Sequence, residues 1–433
     1  MQTTIALTVF VVSLALIASE KINRSIVSMI GASLIILTGV VNFHEALEFI
    51  DFNVLGLLIG MMIIVQILGK TGIFEYTAIK SVKLAKGRPV RLLFILALIT
   101  AIFSAFLDNV TTIILIVPTT LFIAKILDIS PFPFVLTEIF FSNIGGATTI
   151  IGDPPNIIIA SALGINFNEF LITMLPIIIL IVSAGLTLSF LFFKNQLRSK
   201  IIHFKKIEQI KTEGVIKDKI LLQKSLFILT LVLLGFFTHN IFNIEASVIA
   251  LFGAFLLLLI TGEEVEKAYE KIEWQTIFFF IGLFIIIGGL EKVGILEIFA
   301  NLIKTKVGTD ELKLSTFMLG FSGLSSGFID NIPITIVLVD LVKEMGQIGL
   351  NIKPLWVAIA LGADLGGNMT MIGASANVVG IDIYKRSIDN KKDKTISFMN
   401  FMRYGFPLTI TTLIISLIVV VIKHLFFYHL FYK

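Results

Sequence analysis

The chain has 433 residues, 56% of them hydrophobic and only 15% charged, with no cysteine. Soluble domains carry about 25% charged residues, and runs of about 20 apolar residues cross bilayers. The composition therefore excludes a soluble globular protein, a disulfide scaffold, a thiolate metal site and a cysteine nucleophile. The net charge of +4 is modest and sits in short loops, which points to membrane orientation rather than to nucleic acid as a partner.

Three apolar spans open the chain, near 3–19, 25–42 and 53–69. The first lacks the basic start of a signal peptide and reads as a mature span. A basic connector (70–91) follows and has the pattern of an amphipathic surface helix. A helix–Asp108-Asn109–helix segment occupies 91–127, an interrupted span 132–163, and a last span 168–193. A basic loop, 194–224, precedes a second series of the same kind.

That second series is a repeat. A shift of 222 residues lays Ser25 and Gly31 on Ser247 and Gly253, "EALEFID" (45–51) on "KAYEKIE" (267–273), and Gly60, Lys70, Gly72 and Glu75 on Gly282, Lys292, Gly294 and Glu297. "FLDN" (106–109) falls on "FIDN" (328–331). At a shift of 221, "GGATTIIGDPPN" (145–156) falls on "GGNMTMIGASAN" (366–377). The units are 1–200 and 223–433, with 201–222 as a cytoplasmic linker.

Basic loops orient the copies if each Asp-Asn hairpin returns to its own side. Lys21 and Arg24 then lie inside, with loops 70–91, 194–224 (Lys194, Arg198, Lys200, Lys205, Lys206, Lys211) and 385–401 (Lys385, Arg386, Lys391, Lys392, Lys394). Acidic 42–51 and both termini fall outside. The acidic loop 262–273 dissents. Lys70, Lys292, Glu75 and Glu297 are expected at an interface, the two lysines snorkelling. Five crossings per copy is odd, so the second copy is inverted. The expected fold is an all-α polytopic membrane protein: an inverted repeat of five spans plus one re-entrant hairpin each, with two interrupted helices. Such repeats with broken helices mark secondary transporters, with the site at the midplane.

Four places bring polar groups to that midplane. Asp108 and Asp330 are expected to cap the helices that follow them, with Asn109 and Asn331 beside them and Pro333 in a first turn. Gly145-Gly146 and Gly366-Gly367 end half-helices. Asp153 with Pro154-Pro155, and Ser375 in the second copy, are expected to cap the restarts. Four helix N-termini then converge on one region, with Asn143, Thr148, Thr149, Asn156, Asn368, Thr370 and Asn377 as neutral hydrogen-bonding groups. Asp364 answers to Asn143 and Asp153 to Ala374, so each carboxylate breaks the repeat. Intramembrane carboxylates mark ion or proton pathways, and Asp364 and Asp153 are the expected proton- or cation-coupling residues. Glu138 is a further buried carboxylate, with helix packing as its other reading. The five histidines sit at span ends or in loops, and the 39 phenylalanines read as lipid-facing or packing groups. No cofactor or metal is expected.

At these motifs the sequence resembles the ion-transporter superfamily. "SNIGGATTIIGDPPN", with "FLDN", "FIDN" and "GADLGGNMTMIGASAN", is most similar to the branch holding the arsenite/antimonite efflux permease, the D-type sodium/proton antiporter and the melanosomal P-protein. The resemblance implies a homodimer working as an elevator, with a scaffold (1–90 and 223–312) and a transport domain (91–193 and 313–425). It places substrate and ions between the hairpin tips and the two unwound loops. Dicarboxylate members carry Ser-Asn-Thr at both tips; here the residues are Asp108-Asn109-Val110 and Asp330-Asn331-Ile332. No basic residue is expected near the site, which disfavours a carboxylate substrate.

The reading is a proton-coupled secondary transporter of the cell membrane, not an enzyme, exporting an inorganic solute with arsenite or antimonite foremost. Sodium/proton antiport and di- or tricarboxylate or other anion transport are the alternatives. "GAD" (362–364) and "IGD" (151–153) superficially match an intramembrane aspartyl protease motif, but an inverted duplication with two hairpins does not suit one. No Walker-type phosphate loop occurs, so ATP drive needs a separate ATPase subunit. A channel is distinguished by saturable counter-transport.

Overall fold

The computed structural model describes residues 1–19, 21–198, 214–387 and 396–431, and among them every regular element is a helix. The first repeat contains α1 (Gln2–Ala18), α2 (Arg24–Leu37), α3 (Phe43–Glu48), α4 (Phe52–Lys70), α5 (Ile73–Ala85), α6 (Pro89–Phe106), α7 (Asn109–Leu127), α8 (Phe132–Gly146), α9 (Pro154–Leu163) and α10 (Phe167–Arg198). The second contains α11 (Lys219–Phe242), α12 (Ala246–Thr261), α13 (Val265–Tyr269), α14 (Trp274–Lys292), α15 (Ile295–Val307), α16 (Glu311–Ser326), α17 (Asn331–Gln347), α18 (Leu355–Gly366), α19 (Ser375–Ser387) and α20 (Phe398–Phe431). Lys200, Lys205, Lys206, Lys211, Lys391, Lys392 and Lys394 of the expected basic loops lie outside the described residues, as does His203.

The protein is a polytopic helical membrane protein. Seven of the described helices are long and apolar enough to cross a membrane. The other expected crossings are either shorter apolar helices or broken pairs. The span expected over 25–42 ends at Leu37, because Gly39 takes φ 71° and turns the chain. Asn42 then starts α3: its side chain accepts from the Glu45 N–H while Glu45 accepts from the Asn42 N–H, a closed capping box.

The repeat seen in the sequence reappears atom by atom. Ser104 Oγ donates to the Ser142 carbonyl at 2.6 Å, and Ser326 Oγ to that of Ala363 at 2.6 Å. Asn156 Nδ2 donates to the carbonyls of Gly146 and Thr149, as Asn377 Nδ2 does to those of Gly367 and Thr370. Helix packing is paired in the same way. α4 lies on α12 and α14 on α2; α6 lies on α8 and α16 on α18; α7 lies on α19 and α17 on α9.

Small residues set how closely these pairs approach. A Cβ on Gly60 meets the backbone of Ala250 at 2.6 Å, and one on Gly282 meets that of Ser28 at 2.5 Å. A Cβ on Gly145 lies 2.3 Å from the Ala101 carbonyl oxygen, and one on Gly366 2.3 Å from that of Gly323. Glycine therefore lets α6 touch α8, and α16 touch α18, at the height where each broken helix unwinds.

Ion pairs tie the copies together at the ends of α4 and α14, where the two lysines are expected at an interface. Lys70 Nζ meets Glu263 Oε2 at 2.5 Å, and Lys292 pairs with Glu45. Lys70 thus neutralises part of the acidic loop that dissented from the charge rule. Lys292, with the Asn42 N–H, holds the exposed Glu45 carboxyl below the usual carboxylate range.

The close crossings yield a stability test. Gly145→Ala and Gly366→Ala should each cost about 1–3 kcal/mol, because a backbone carbonyl cannot move aside as a side chain can. Gly320→Ala, with nothing within 4 Å, should leave the melt unchanged. Thermal unfolding of the purified protein in detergent reads the difference.

Candidate functional site

The two hairpin tips meet in the interior, against the two loops that interrupt α8–α9 and α18–α19. Asp108 and Asp330 do what the sequence leads one to expect: Asp108 accepts from the Thr111 N–H at 2.8 Å and Asp330 from the Ile332 N–H at 3.1 Å. Each cap starts the returning arm of its hairpin and leaves the following asparagine buried, Asn109 at 4% exposure and Asn331 at 3%.

Asp153 does not cap α9. Pro154 and Pro155 offer no N–H, and the first free donor, that of Asn156, bonds the Asp153 carbonyl instead. The released carboxylate accepts from Asn109 Nδ2 at 2.8 Å and from Asn331 Nδ2 at 3.3 and 3.4 Å. One buried carboxylate thus holds both tips. Its repeat counterpart is Ala374, which explains why Asn331 reaches across the repeat boundary rather than to its own loop.

A second chain of amides continues from the first tip. Asn109 Nδ2 donates to Asn143 Oδ1 at 3.1 Å, and Asn143 Nδ2 donates to Asn368 Oδ1 and Asn377 Oδ1, both at 2.9 Å. Asn368 Nδ2 in turn donates to the Phe140 carbonyl at 3.2 Å. Other expected site residues are spent on architecture. Thr149 Oγ1 donates to the Ala105 carbonyl, and Thr370 Oγ1 to that of Gly327, pinning each loop to its hairpin. Gly145-Gly146 and Gly366-Gly367 end α8 and α18, and Thr148 lies buried in the first loop.

Asp364 stands apart. It is 0% exposed, and neither carboxylate oxygen has a hydrogen-bond partner among the described residues. Asn156 lies beside it. Both protons of the Asn156 amide are engaged by Gly146 and Thr149, so its Oδ1 is also without a donor. A carboxylate buried this way without a donor is costly to keep charged. Glu138 is similarly short of partners: Thr120 Oγ1 lies 2.5 Å from Oε1, and Oε2 has none.

Two expectations fail here for one reason. Ser375 is not a cap, and a basic residue does stand at the site. Ser375 Oγ donates to Asp330 Oδ2 at 2.8 Å, and Arg24 Nη1 meets the same oxygen at 3.1 Å and also bonds Ser375 Oγ. Arg24 opens α2, which read as a loop position far from the hairpins. Glu273 and Thr276, at the start of α14, were missed in the same way. With Asp108, Asp153, Asn331 and Ser375 they line a cavity of ≈ 20 Å³. Arg24 carries a visible signal, since its repeat counterpart is Ala246. Among the described residues no cluster of three or more His, Asp or Glu is arranged to hold a metal ion.

Paired broken helices, buried tips and buried carboxylates define a multi-pass membrane transporter. Comparison with known proteins makes this specific: the sequence profile described as "citrate transporter" matches residues 14–362 and again 306–429, and the chain belongs to that family. It is 38% identical over 436 residues to an uncharacterized transporter of Mycobacterium tuberculosis, covering 98% of this chain and 99% of the relative. It is 39% identical over 430 residues to a 46 kDa membrane protein of Mycobacterium leprae, covering 97% and 99%. The P protein of Homo sapiens is 30% identical over 508 residues, covering 98% of this chain and 60% of that protein, in keeping with the branch named from the motifs. The crystal structure of the Alcanivorax borkumensis YdaH transporter shares the fold, with a TM-score of 0.56 at 11% identity over 88% of both chains.

The Asp153 contacts predict a contrast between two substitutions. Asp153→Ala strands two amide donors in the interior, each at about 1–3 kcal/mol, and should lower thermal stability sharply. Asp153→Asn keeps a carbonyl oxygen for them and should unfold within a few degrees of the unaltered protein.

Proposed function

We propose that this protein is a proton-coupled secondary transporter of a small inorganic solute, with Asp364 and Asp153 as the coupling carboxylates. The observation that carries the reading is the Asp364 carboxylate, 0% exposed and without a hydrogen-bond partner on either oxygen among the described residues. A group so placed takes up a proton or a cation and gives it back, which is the chemistry an exchanger needs. Asp153, held by amides alone, is the second such group.

Charge and size favour a monovalent cation, with sodium the representative, as the exchanged solute. Asp108, Asp153 and Glu273 surround the ≈ 20 Å³ cavity, and its one guanidinium is already paired with Asp330. A tricarboxylate meets uncompensated carboxylates there, and a space of about one water volume suits a single ion. The family's name thus describes a substrate that this site is poorly built to hold. Arsenite or antimonite, as a neutral trihydroxy species, is the second reading, favoured by the amides of Asn109 and Asn331 at the tips and of Asn143 in α8.

The motion we propose is an elevator, with 91–193 and 313–425 sliding against 1–90 and 223–312. The support is a break in the packing symmetry. α4 packs on α9 and α14 on α17, whereas the repeat-related pairs α4 with α7 and α14 with α19 are not packed to that extent among the described residues. With the basic loops in the cytoplasm, the mobile body is displaced inward, which brings the tips to Arg24. A homodimer through the scaffold in the cell membrane completes the proposal; drive by a separate ATPase subunit is not required by it.

The test is flux in proteoliposomes carrying a pH-sensitive dye, with sodium, arsenite or citrate gradients. Sodium-driven proton movement is expected, lowered at least 10-fold in Asp364→Asn and Asp153→Asn. Arsenite-driven movement without sodium supports the second reading. Citrate-driven flux, or full activity in both variants, overturns the proposal.

A further inference from the structure

The exchange reading leaves one question open: what stops the mobile body from crossing unloaded. Arg24 bridges the two bodies. On the scaffold side, Nη2 reaches Thr276 Oγ1 at 3.4 Å, and the guanidinium carbon lies 4.9 Å from the centre of the Phe279 ring. On the mobile side, Nη1 holds Asp330 Oδ2 at 3.1 Å and the Ser375 hydroxyl. These mobile contacts are the cap of the second hairpin and the first residue of the second restart.

We propose that Arg24 is a coupling residue, an internal cation that pairs with Asp330 when neither transported cation nor proton is on that carboxylate, and so latches the unloaded mobile body at this end of the scaffold. The proposal rests on the exchange reading and adds the rule that makes exchange obligatory. The charged groups facing the guanidinium are Asp330 on the tip of the second hairpin, Asp108 on the tip of the first, Asp153 on the restart loop and Glu273 on α14. No second Lys or Arg lines this cavity. An arginine keeps its proton at any working pH, so only the carboxylate can be neutralised. A cation or proton on Asp330 cancels the attraction and frees the body to cross.

Partial exposure makes the latch breakable: 28% of the Arg24 side chain and 13% of the Asp330 side chain are accessible, so the pair is strong enough to bias a position and weak enough to open. The repeat makes it one-ended. Arg24 answers to Ala246, and Asp330 to Asp108, so the opposite end of the scaffold has no guanidinium for the first tip. The unloaded carrier is therefore held at one face only, while the loaded carrier is free at both.

The chain has no cysteine, which allows a position-specific readout independent of transport. Asn53 Nδ2 lies 3.3 Å from Ser161 Oγ, joining α4 to α9 in the arrangement described here. An Asn53→Cys, Ser161→Cys pair is oxidised at fixed pH in choline buffer, with Arg24 present or changed to Gln or Lys. Disulfide formation should slow at least 5-fold with Arg24→Gln, remain near the Arg24 rate with Arg24→Lys, and slow on adding sodium only when the cation at position 24 is present. In proteoliposomes of the otherwise unaltered protein, Arg24→Gln should raise sodium efflux without a counter-ion about 10-fold. Unchanged trapping and unchanged uncoupled efflux in Arg24→Gln overturn the latch. An Arg24-dependent trapping rate with no sodium/proton exchange in any protein keeps the latch and overturns the exchange reading instead.

Discussion

One buried carboxylate organises the centre of this molecule. Asp153 accepts from both hairpin tips, through Asn109 at 2.8 Å and Asn331 at 3.3 and 3.4 Å, and so joins halves of the chain separated by a repeat length. It is free to do so because two prolines remove the helix donors it would otherwise cap. Once it is committed to the tips, the second loop has no equivalent group, since Ala374 stands there. Asp364, which answers to Asn143 in the first copy, has no hydrogen-bond partner among the described residues.

The fold therefore divides its polar residues into two kinds. Those that recur in both copies, such as Thr149 with Thr370 and Asn156 with Asn377, spend their protons on backbone carbonyls exposed where helices break. Unsatisfied carbonyls in a bilayer are costly, so this use is structural and symmetric. Those that do not recur, Asp153, Asp364 and Arg24, are charged groups that set the two copies apart. Symmetry builds the cradle, and departures from it place the chemistry.

Much of this was legible in the sequence, because the repeat is a one-dimensional signal. The hairpin tips, the Gly-Gly breaks and the two unmatched carboxylates all follow from a shift of 222 or 221 residues. What was not legible depends on distance in space. Arg24 reads as a loop charge because its partner lies 306 positions away. The capping role expected of Asp153 failed because the prolines that favour a helix start also remove the N–H groups a cap needs. The length of α2 was overestimated by hydropathy, which does not register the left-handed turn at Gly39.

The family named for citrate and the carboxylate-rich site pull in different directions, and the conflict is about charge rather than fold. A guanidinium is present, but it is paired with Asp330, while Asp108, Asp153 and Glu273 line the same cavity. The central claim is that Asp364 holds an exchangeable proton at rest. Infrared difference spectroscopy of the reconstituted protein tests it most directly. A protonated carboxylic C=O band, absent in Asp364→Asn and lost on titration with sodium, is the expected result. A carboxylate signal for Asp364 that is ionised at neutral pH and indifferent to sodium would contradict the account.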